Sequence, residues 1–227
     1  MLNFKGKEVF TTLEEIVNPM HTALVLVDLQ NDFMTPGGTS DKQGRGVSVL
    51  RKILPNVRRV LDAARDNGVL VVHVQMTLYP DFVTESPVAL RGQLLRMGYQ
   101  NGDAVDALLT YCIDGTWGWQ IVDELAPLPN ETRVKKYRQS AFIGTNLDMI
   151  LRSNGIKSVV VAGIVTQGCV LGTATDAVFF DYYSVILRDC VSNRDADIHE
   201  AALRVMSCSK DVTDSEKVIE VWENSGH

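Results

Sequence analysis

A cysteine at the junction between an apolar run and a helical pattern is the residue best suited to chemistry. Cys169 closes the segment 163–169, and the preceding run 158–162 is mostly apolar and β-branched, which predicts a buried strand. Apolar residues then recur at helical spacing, which predicts that Cys169 lies in the first turn of a helix. Free N–H groups and the positive end of a helix favour a thiolate. The alternative is an inert buried residue, because free cysteine is among the most buried types.

A carboxylate and a lysine complete a set that can activate this thiol. Asp28 follows an apolar run, where capping of a loop is the simpler role, and Lys136 lies among basic residues, where a solvated cluster is the simpler role. Taken together with Cys169, they predict that Asp28 receives the thiol proton while Lys136 and the helix end lower the thiol pKa. Attack on an amide or ureido carbonyl creates an oxyanion, for which the N–H groups of Val165 and Cys169 are candidate donors.

Strands and helices alternate along the chain and must position these residues. Strands are predicted at 22–27, 69–74, 132–135, 158–162 and 184–187. Helices are predicted near 50–64, 145–154, 169–178, 195–207 and from 214 onward. Pro55 marks a kink or a first turn, and Thr145 with Asp148 resembles a capping box. The alternation predicts one domain, residues 1–227, with a three-layer α/β/α fold and a mostly parallel central sheet. The carboxyl ends of its strands would form one crevice.

Composition narrows the class of protein. The chain has 227 residues, of which 45% are hydrophobic, and a formal net charge of −6. This acidic balance argues against a nucleic-acid partner. No apolar run is long enough to span a membrane, and the N-terminus does not resemble a signal peptide, so a cytoplasmic location is expected. The four cysteines follow no disulfide or zinc pattern.

Three ordered blocks, residues 24–33, 136–142 and 163–170, resemble the isochorismatase-like cysteine hydrolases. The resemblance implies a catalytic triad of Asp28, Lys136 and Cys169. It also implies a cis peptide bond between Ile164 and Val165, and assembly as a homodimer or homotetramer. Three blocks in the family's order are far more specific than any one of them.

Within that family the chain is similar to the N-carbamoylsarcosine and ureidoacrylate amidohydrolases. Arg194 follows Cys169 at the spacing at which the former have an arginine for the substrate carboxylate, although a surface arginine is the alternative. Nicotinamidases of the family hold a metal through histidines after the second strand, whereas residues 75–82 contain no histidine. We therefore expect neither a metal nor another cofactor.

Other residues of these blocks, and one tryptophan, are expected near the substrate: Gln30, Phe33, Thr166, Gln167 and Trp117. For Trp117, packing between subunits is the alternative. The resemblance implies a cysteine amidohydrolase that cleaves the C–N bond of a small carbamoyl (ureido) or carboxamide compound, such as an N-carbamoyl amino acid, through an acyl-enzyme with release of ammonia. Two alternatives stay open: isochorismatase-type vinyl-ether hydrolysis, which does not require the cysteine, and a non-enzymatic scaffold.

Overall fold

A short antiparallel hairpin precedes a parallel sheet. The computed structural model describes residues 1–101, 105 and 109–225. The hairpin consists of β1 (Leu2–Phe4) and β2 (Lys7–Val9). Over the described residues, the strands of the sheet are β3 (Thr22–Val27), β4 (Leu70–Met76), β5 (Thr132–Lys136), β6 (Ser158–Ile164), β7 (Tyr183–Ser192) and β8 (Asp211–Thr213). Their spatial order is β5-β4-β3-β6-β7-β8, and each neighbouring pair is parallel.

Helices connect these strands. In the described ranges the α-helices are α1 (Leu13–Ile16), α2 (Asn31–Met34), α3 (Thr39–Lys42), α4 (Ser48–Arg51), α5 (Leu54–Asp66), α6 (Pro87–Arg96), α7 (Leu147–Ser153), α8 (Leu171–Phe179), α9 (Ala196–Met206) and α10 (Ser215–Asn224). Single 3₁₀ turns lie at Pro19–His21 and Asp123–Leu125, and a π-helical turn, Thr166–Val170, precedes α8. None of the helices described is both long enough and apolar enough to cross a membrane.

The sheet is buried on both faces. Along β3, Leu24 and Leu26 pack into one hydrophobic cluster, whereas Val25 and Val27 pack into another, because successive side chains of a strand point to opposite faces. The first cluster includes residues of α5 and α10, and the second includes residues of α7, α8 and α9. The predicted three-layer α/β/α architecture is therefore confirmed.

The structure differs from the predicted elements mainly at their ends. Pro55 lies in the first turn of α5 and does not kink it. The predicted capping box is wrong, because α7 begins after Asn146, and the Thr145 hydroxyl accepts from the N–H of Leu147 instead. Strand β7 continues to Ser192, well beyond the predicted end, because residues 190–192 stay buried and 191–192 pair with the end of β6.

Candidate active site

A cavity of about 530 Å³ opens at the carboxyl ends of β3 and β6 and contains the predicted nucleophile. Asp28, directly after β3, and Cys169, in the π-helical turn after β6, both line it. Lys136 is the last residue of β5 and is fully buried beside them. Three residues distant in the sequence thus meet because parallel strands end at one edge of the sheet.

Contacts among the three side chains are direct. Lys136 Nζ lies 2.8 Å from Asp28 Oδ2 and 3.1 Å from Cys169 Sγ. The Cys169 thiol also hydrogen bonds the Asp28 carboxylate. Asp28 and Lys136 are 2% and 0% exposed, so the ion pair is shielded from solvent while the thiol is half-buried at the cavity surface. The arrangement can move a proton from sulfur to carboxylate beside a fixed positive charge.

Backbone groups hold this ion pair in place. Asp28 adopts a left-handed conformation, with φ of 56°, and its Oδ1 accepts from the N–H of Met76, 2.8 Å away, at the end of β4. Lys136 Nζ also donates to the carbonyl oxygen of Arg138 at 3.1 Å. The neighbouring Lys135 instead bonds Asp114 at 2.7 Å. Lys136 is therefore the lysine in contact with the thiol.

The thiol is protonated in the resting site, contrary to the predicted thiolate. Burial, followed by the charge of Asp28, raises the pKa of Cys169 to about 12, and Lys136 lowers it only in part. Burial also opposes the charge of Lys136, but the attraction of Asp28 and Cys169 outweighs it and raises the pKa of this lysine. A carboxylate that accepts the thiol hydrogen bond favours the neutral sulfur. Lys136 is therefore an ammonium and Cys169 a thiol.

The segment that carries Cys169 has an unusual backbone. The peptide bond between Ile164 and Val165 is cis, as the resemblance implies. Cys169 lies in a π-helical turn and not in the first turn of an α-helix, as the bond from the N–H of Val170 to the oxygen of Val165 shows. Val165 and Cys169, the predicted oxyanion donors, both line the cavity.

A glycine lets this segment lie close to Asp28. Gly163 has a φ of 130°, and a Cβ built on it would come within 2.1 Å of the carbonyl oxygen of Val27. A side chain at this position would therefore push β6 away from the end of β3. The contact between β3 and β6 therefore requires glycine at position 163.

The cavity has a cationic end, which three arginines form. Arg194 lines it, and its Nε donates to the carbonyl oxygen of Gly46 at 3.0 Å. Arg45 and Arg96 line the same cavity. Burial, followed by the nearby charge of Arg45, lowers the pKa of Arg194 to about 10. No carboxylate among the described residues pairs with Arg45 or Arg194, so this end of the cavity favours an anion.

Only half of the residues predicted to bind substrate line the cavity. Phe33, Gln167 and Arg194 do so. The other three do not, and each is held elsewhere by a protein contact. Gln30 is buried, and its amide donates to the carbonyl oxygens of Met76 and Trp119.

Thr166 and Trp117 are the other two residues that do not line the cavity. Thr166 is buried, and its hydroxyl lies 2.8 Å from Nδ1 of His199, which joins the π-helical turn to α9. Trp117 is 49% exposed, and its carbonyl oxygen accepts from the side chain of Asn31. Both residues support backbone segments near the site and do not line it.

Other cavity residues belong to no motif of the sequence. They include Arg45, Gln93, Arg96, Tyr111 and Tyr137. Only Arg45 has a local signal, because it lies between two glycines with φ of 67° and 64°, a turn that presents the arginine. The remainder are brought to the cavity by tertiary packing of α6 and the loops.

No group of three or more His, Cys, Asp and Glu side chains in the described part of the chain is arranged to hold a metal ion. His73 of β4 is buried and bonds Glu131 at 2.9 Å. In the described part of the chain, the triad side chains bond one another, backbone groups and the sulfur of Met76.

The chain is similar to known proteins over most of its length. The family model described as Isochorismatase domain matches residues 22–217. A ureidoacrylate amidohydrolase of Rhizobium rhizogenes is 35% identical over 190 residues, which cover 82% of this chain and 76% of that protein. The solved structure of an N-carbamoylsarcosine amidase from Thermoplasma acidophilum matches with a TM-score of 0.66 and 30% identity, over 87% of this chain and 98% of the other.

A cysteine hydrolase from Pseudomonas syringae pv. phaseolicola matches with a TM-score of 0.79 over 93% of this chain and 96% of the other. At 24% identity this likeness shows the shared fold alone. The family model, by contrast, spans most of the sequence and includes all three residues of the triad. The chain therefore belongs to the isochorismatase family.

Proposed function

We propose that this protein is a cysteine amidohydrolase that cleaves the C–N bond of a small ureido or carboxamide compound carrying a carboxylate. The observation that carries the proposal is the direct contact of the Cys169 thiol with a buried carboxylate and a buried ammonium. Vinyl-ether hydrolysis needs no thiol in this position. The names of the ureidoacrylate amidohydrolase and the N-carbamoylsarcosine amidase support the same class of substrate.

The first step forms an acyl-enzyme. Cys169 gives its proton to Asp28 as its sulfur attacks the carbonyl carbon, so the high pKa of the thiol is overcome only when substrate is present. The oxyanion accepts hydrogen bonds from the N–H groups of Val165 and Cys169. The C–N bond then breaks, and the leaving nitrogen takes the proton from Asp28 and departs as ammonia.

Water completes the cycle. It attacks the acyl carbon, Asp28 receives a proton from it, and the carbon–sulfur bond breaks. The sulfur then recovers a proton from Asp28, which restores the resting thiol. Throughout both steps Lys136 remains an ammonium, and its charge stabilises the carboxylate and the transient thiolate.

The cationic end of the cavity supports a carboxylate on the substrate. Among the described residues, the partners of the Arg194 guanidinium are backbone carbonyl oxygens, and Arg45 lies near enough to lower its pKa. An anion bound between these guanidiniums would relieve their repulsion and could accept a bidentate hydrogen bond. We therefore assign the carboxylate of the substrate to Arg194.

Ammonia release from a panel of ureido and amide acids tests the function. The panel comprises N-carbamoyl amino acids, ureidoacrylate-like acids and maleamate, with biuret as a compound without a carboxylate. We expect Cys169→Ala to reduce release by at least about 10³-fold, because it removes the nucleophile. Cys208→Ala, at an exposed cysteine, is the matched control and should retain activity. Release at the wild-type rate in Cys169→Ala would refute covalent catalysis.

A further inference from the structure

We propose that the preferred substrate is a ureido acid with a large apolar side chain, which packs against one face of α6 inside the cavity. The inference rests on the proposed function and names the class of substrate more closely. Three observations carry it: the volume of the cavity, the apolar surface that α6 adds to it, and a glycine in the middle of that helix.

The cavity is larger than the reacting groups of the substrate require. Its volume is about 530 Å³. At about 30 Å³ for each non-hydrogen atom, which is the share of a water molecule in the liquid, N-carbamoylglycine fills about 240 Å³. On the same basis, N-carbamoylphenylalanine fills about 450 Å³. The smallest ureido acid thus leaves about half of the cavity empty, whereas one with a large side chain fits.

The part of the cavity formed by α6 suits an apolar group. In the proposed reaction the carbamoyl group lies at Cys169 and the carboxylate at Arg194. Val88, Ala89 and Gly92 of α6 also line the cavity, and their spacing places them on one face of the helix. These residues carry no polar side-chain atom, and Val88 is 82% exposed. An apolar portion of the substrate would cover this surface and gain from its burial.

Gly92 widens the cavity and has no other evident role in the fold. It lies in the middle of α6, where glycine is less favourable than alanine. Its φ is not positive, and no backbone atom lies close to it as at Gly163. Among the described residues, a Cβ built on Gly92 would meet only Nη1 of Arg96, at 3.5 Å, which is an ordinary contact. The absent side chain therefore leaves room on the cavity side of α6.

Two probes that differ only in the side chain test the preference. N-carbamoyl-L-phenylalanine and N-carbamoylglycine share the ureido group and the carboxylate, so the ratio of their kcat/KM values reports on the side chain. We expect wild-type protein to favour the phenylalanine derivative by about tenfold or more, the size of burying a large apolar group. A smaller ratio would overturn the inference.

Gly92→Leu fills the space beside α6. We expect it to reduce the ratio by about tenfold or more, because the new side chain and the phenyl group compete for the same volume. Arg91→Leu is the matched control, since it adds the same side chain at an exposed position of α6 that does not line the cavity. Its ratio should equal that of the wild type. An unchanged ratio in Gly92→Leu, or an equal change in Arg91→Leu, would refute the role of α6.

Gly92→Ala separates this role from a purely structural one. Because alanine is the better helix former, we expect a higher midpoint of urea denaturation than in the wild type. A lower midpoint would mean that the fold itself requires the glycine, which contradicts the inference. This midpoint and the wild-type ratio decide the question if Gly92→Leu does not fold.

The outcomes also separate the inference from the function on which it rests. Hydrolysis of N-carbamoylglycine without a preference for the phenylalanine derivative would uphold the function and reject the inference. If wild-type protein releases ammonia from neither probe nor from any member of the panel, the proposed function fails and the inference fails with it.

Discussion

The resting Cys169 thiol is protonated and is therefore a poor nucleophile. Its pKa of about 12 means that the thiolate is scarce at neutral pH, because burial and the Asp28 charge both disfavour it. Slow alkylation would therefore not distinguish this enzyme from an inert scaffold. Asp28 raises the pKa of Cys169, whereas Lys136 lowers it. These opposite effects distinguish the enzyme from an inert scaffold better than the alkylation rate alone.

Replacing either member of the ion pair should change thiol reactivity in opposite directions. Asp28→Asn removes the charge that raises the pKa of Cys169, so we expect alkylation by iodoacetamide at neutral pH to become at least about tenfold faster. Lys136→Met removes the charge that lowers this pKa, so alkylation should become slower. Both variants should lose ammonia release. Mass spectrometry of the alkylated peptides measures the rates.

Cys208 is an internal reference for these rates, because it is exposed and does not line the cavity. Circular dichroism shows whether each variant is folded. Equal rates of Cys169 alkylation in Asp28→Asn and Lys136→Met would contradict the assigned charges.

Arg194→Gln should weaken binding of acids selectively. We expect KM for a carboxylate substrate to rise about 10- to 100-fold, the size of a lost charge-assisted hydrogen bond, and KM for the neutral amide analogue to stay nearly unchanged. Steady-state ammonia release measures both. Arg188→Gln, at an exposed arginine of β7, is the control. An equal loss on both compounds would remove the carboxylate-binding role.

At the scale of elements, the site depends on how closely β6 approaches β3. Val27 and Gly163 are paired in the parallel register, one residue before Asp28 and shortly before Cys169. The absent Cβ of Gly163 is what permits this approach. The distance between Asp28 and Cys169 is therefore set by the pairing of β3 with β6.

Gly163→Ala should destabilise the protein far more than Gly155→Ala. Both glycines have positive φ, but only at Gly163 would the new Cβ meet a backbone oxygen, whereas the space around Gly155 is open. We expect losses in the free energy of unfolding of more than about 3 kcal/mol and of about 1 kcal/mol, respectively. Urea denaturation measures both. Similar losses would show that the close approach of the strands carries no special cost.

At the scale of the whole molecule, an ion-pair network ties the edge strand of the sheet to its neighbours. Glu131, just before β5, binds Nε and Nη2 of Arg65 at 2.7 and 3.0 Å, and it also binds His73 of β4. Burial opposes the charge of Glu131, but its hydrogen bonds to Arg65, the N–H of Leu128 and His73 lower its pKa to about 2. The strand that ends in Lys136 is thus anchored at its beginning.

This network predicts how stability depends on pH. The folded pKa of Glu131 lies below its ordinary value of 4.5, so its contribution is present above about pH 4.5 and is lost as the pH falls toward 2. We therefore expect Glu131→Gln to be less stable than the wild type at pH 7. As the pH falls from about 4.5 toward 2, the variant should lose less stability than the wild type. Thermal unfolding at several pH values measures this. Glu216→Gln, in an exposed pair with Arg59, should have little effect, and an equal effect would contradict the prediction.

The fold and the meeting of Asp28, Lys136 and Cys169 were predictable from sequence, because the strand pattern is local and parallel strands end at one edge of the sheet. The apolar runs locate the strands, and Asp28, Lys136 and Cys169 follow at or near strand ends, where the topology brings them together. Gln30 and Thr166 form hydrogen bonds with residues that are distant in the sequence. Their positions outside the cavity lining were therefore not predictable.

The strand order has a consequence for synthesis of the protein on the ribosome. Asp28 follows β3, and Lys136 is the last residue of β5. Cys169 is synthesised only after β6, and Arg194 only after β7. Since Cys169 follows β6, and β6 pairs with β3 in the middle of the sheet, the three side chains cannot meet before β6 inserts. We expect the growing polypeptide to remain catalytically silent until most of the sheet has left the exit tunnel.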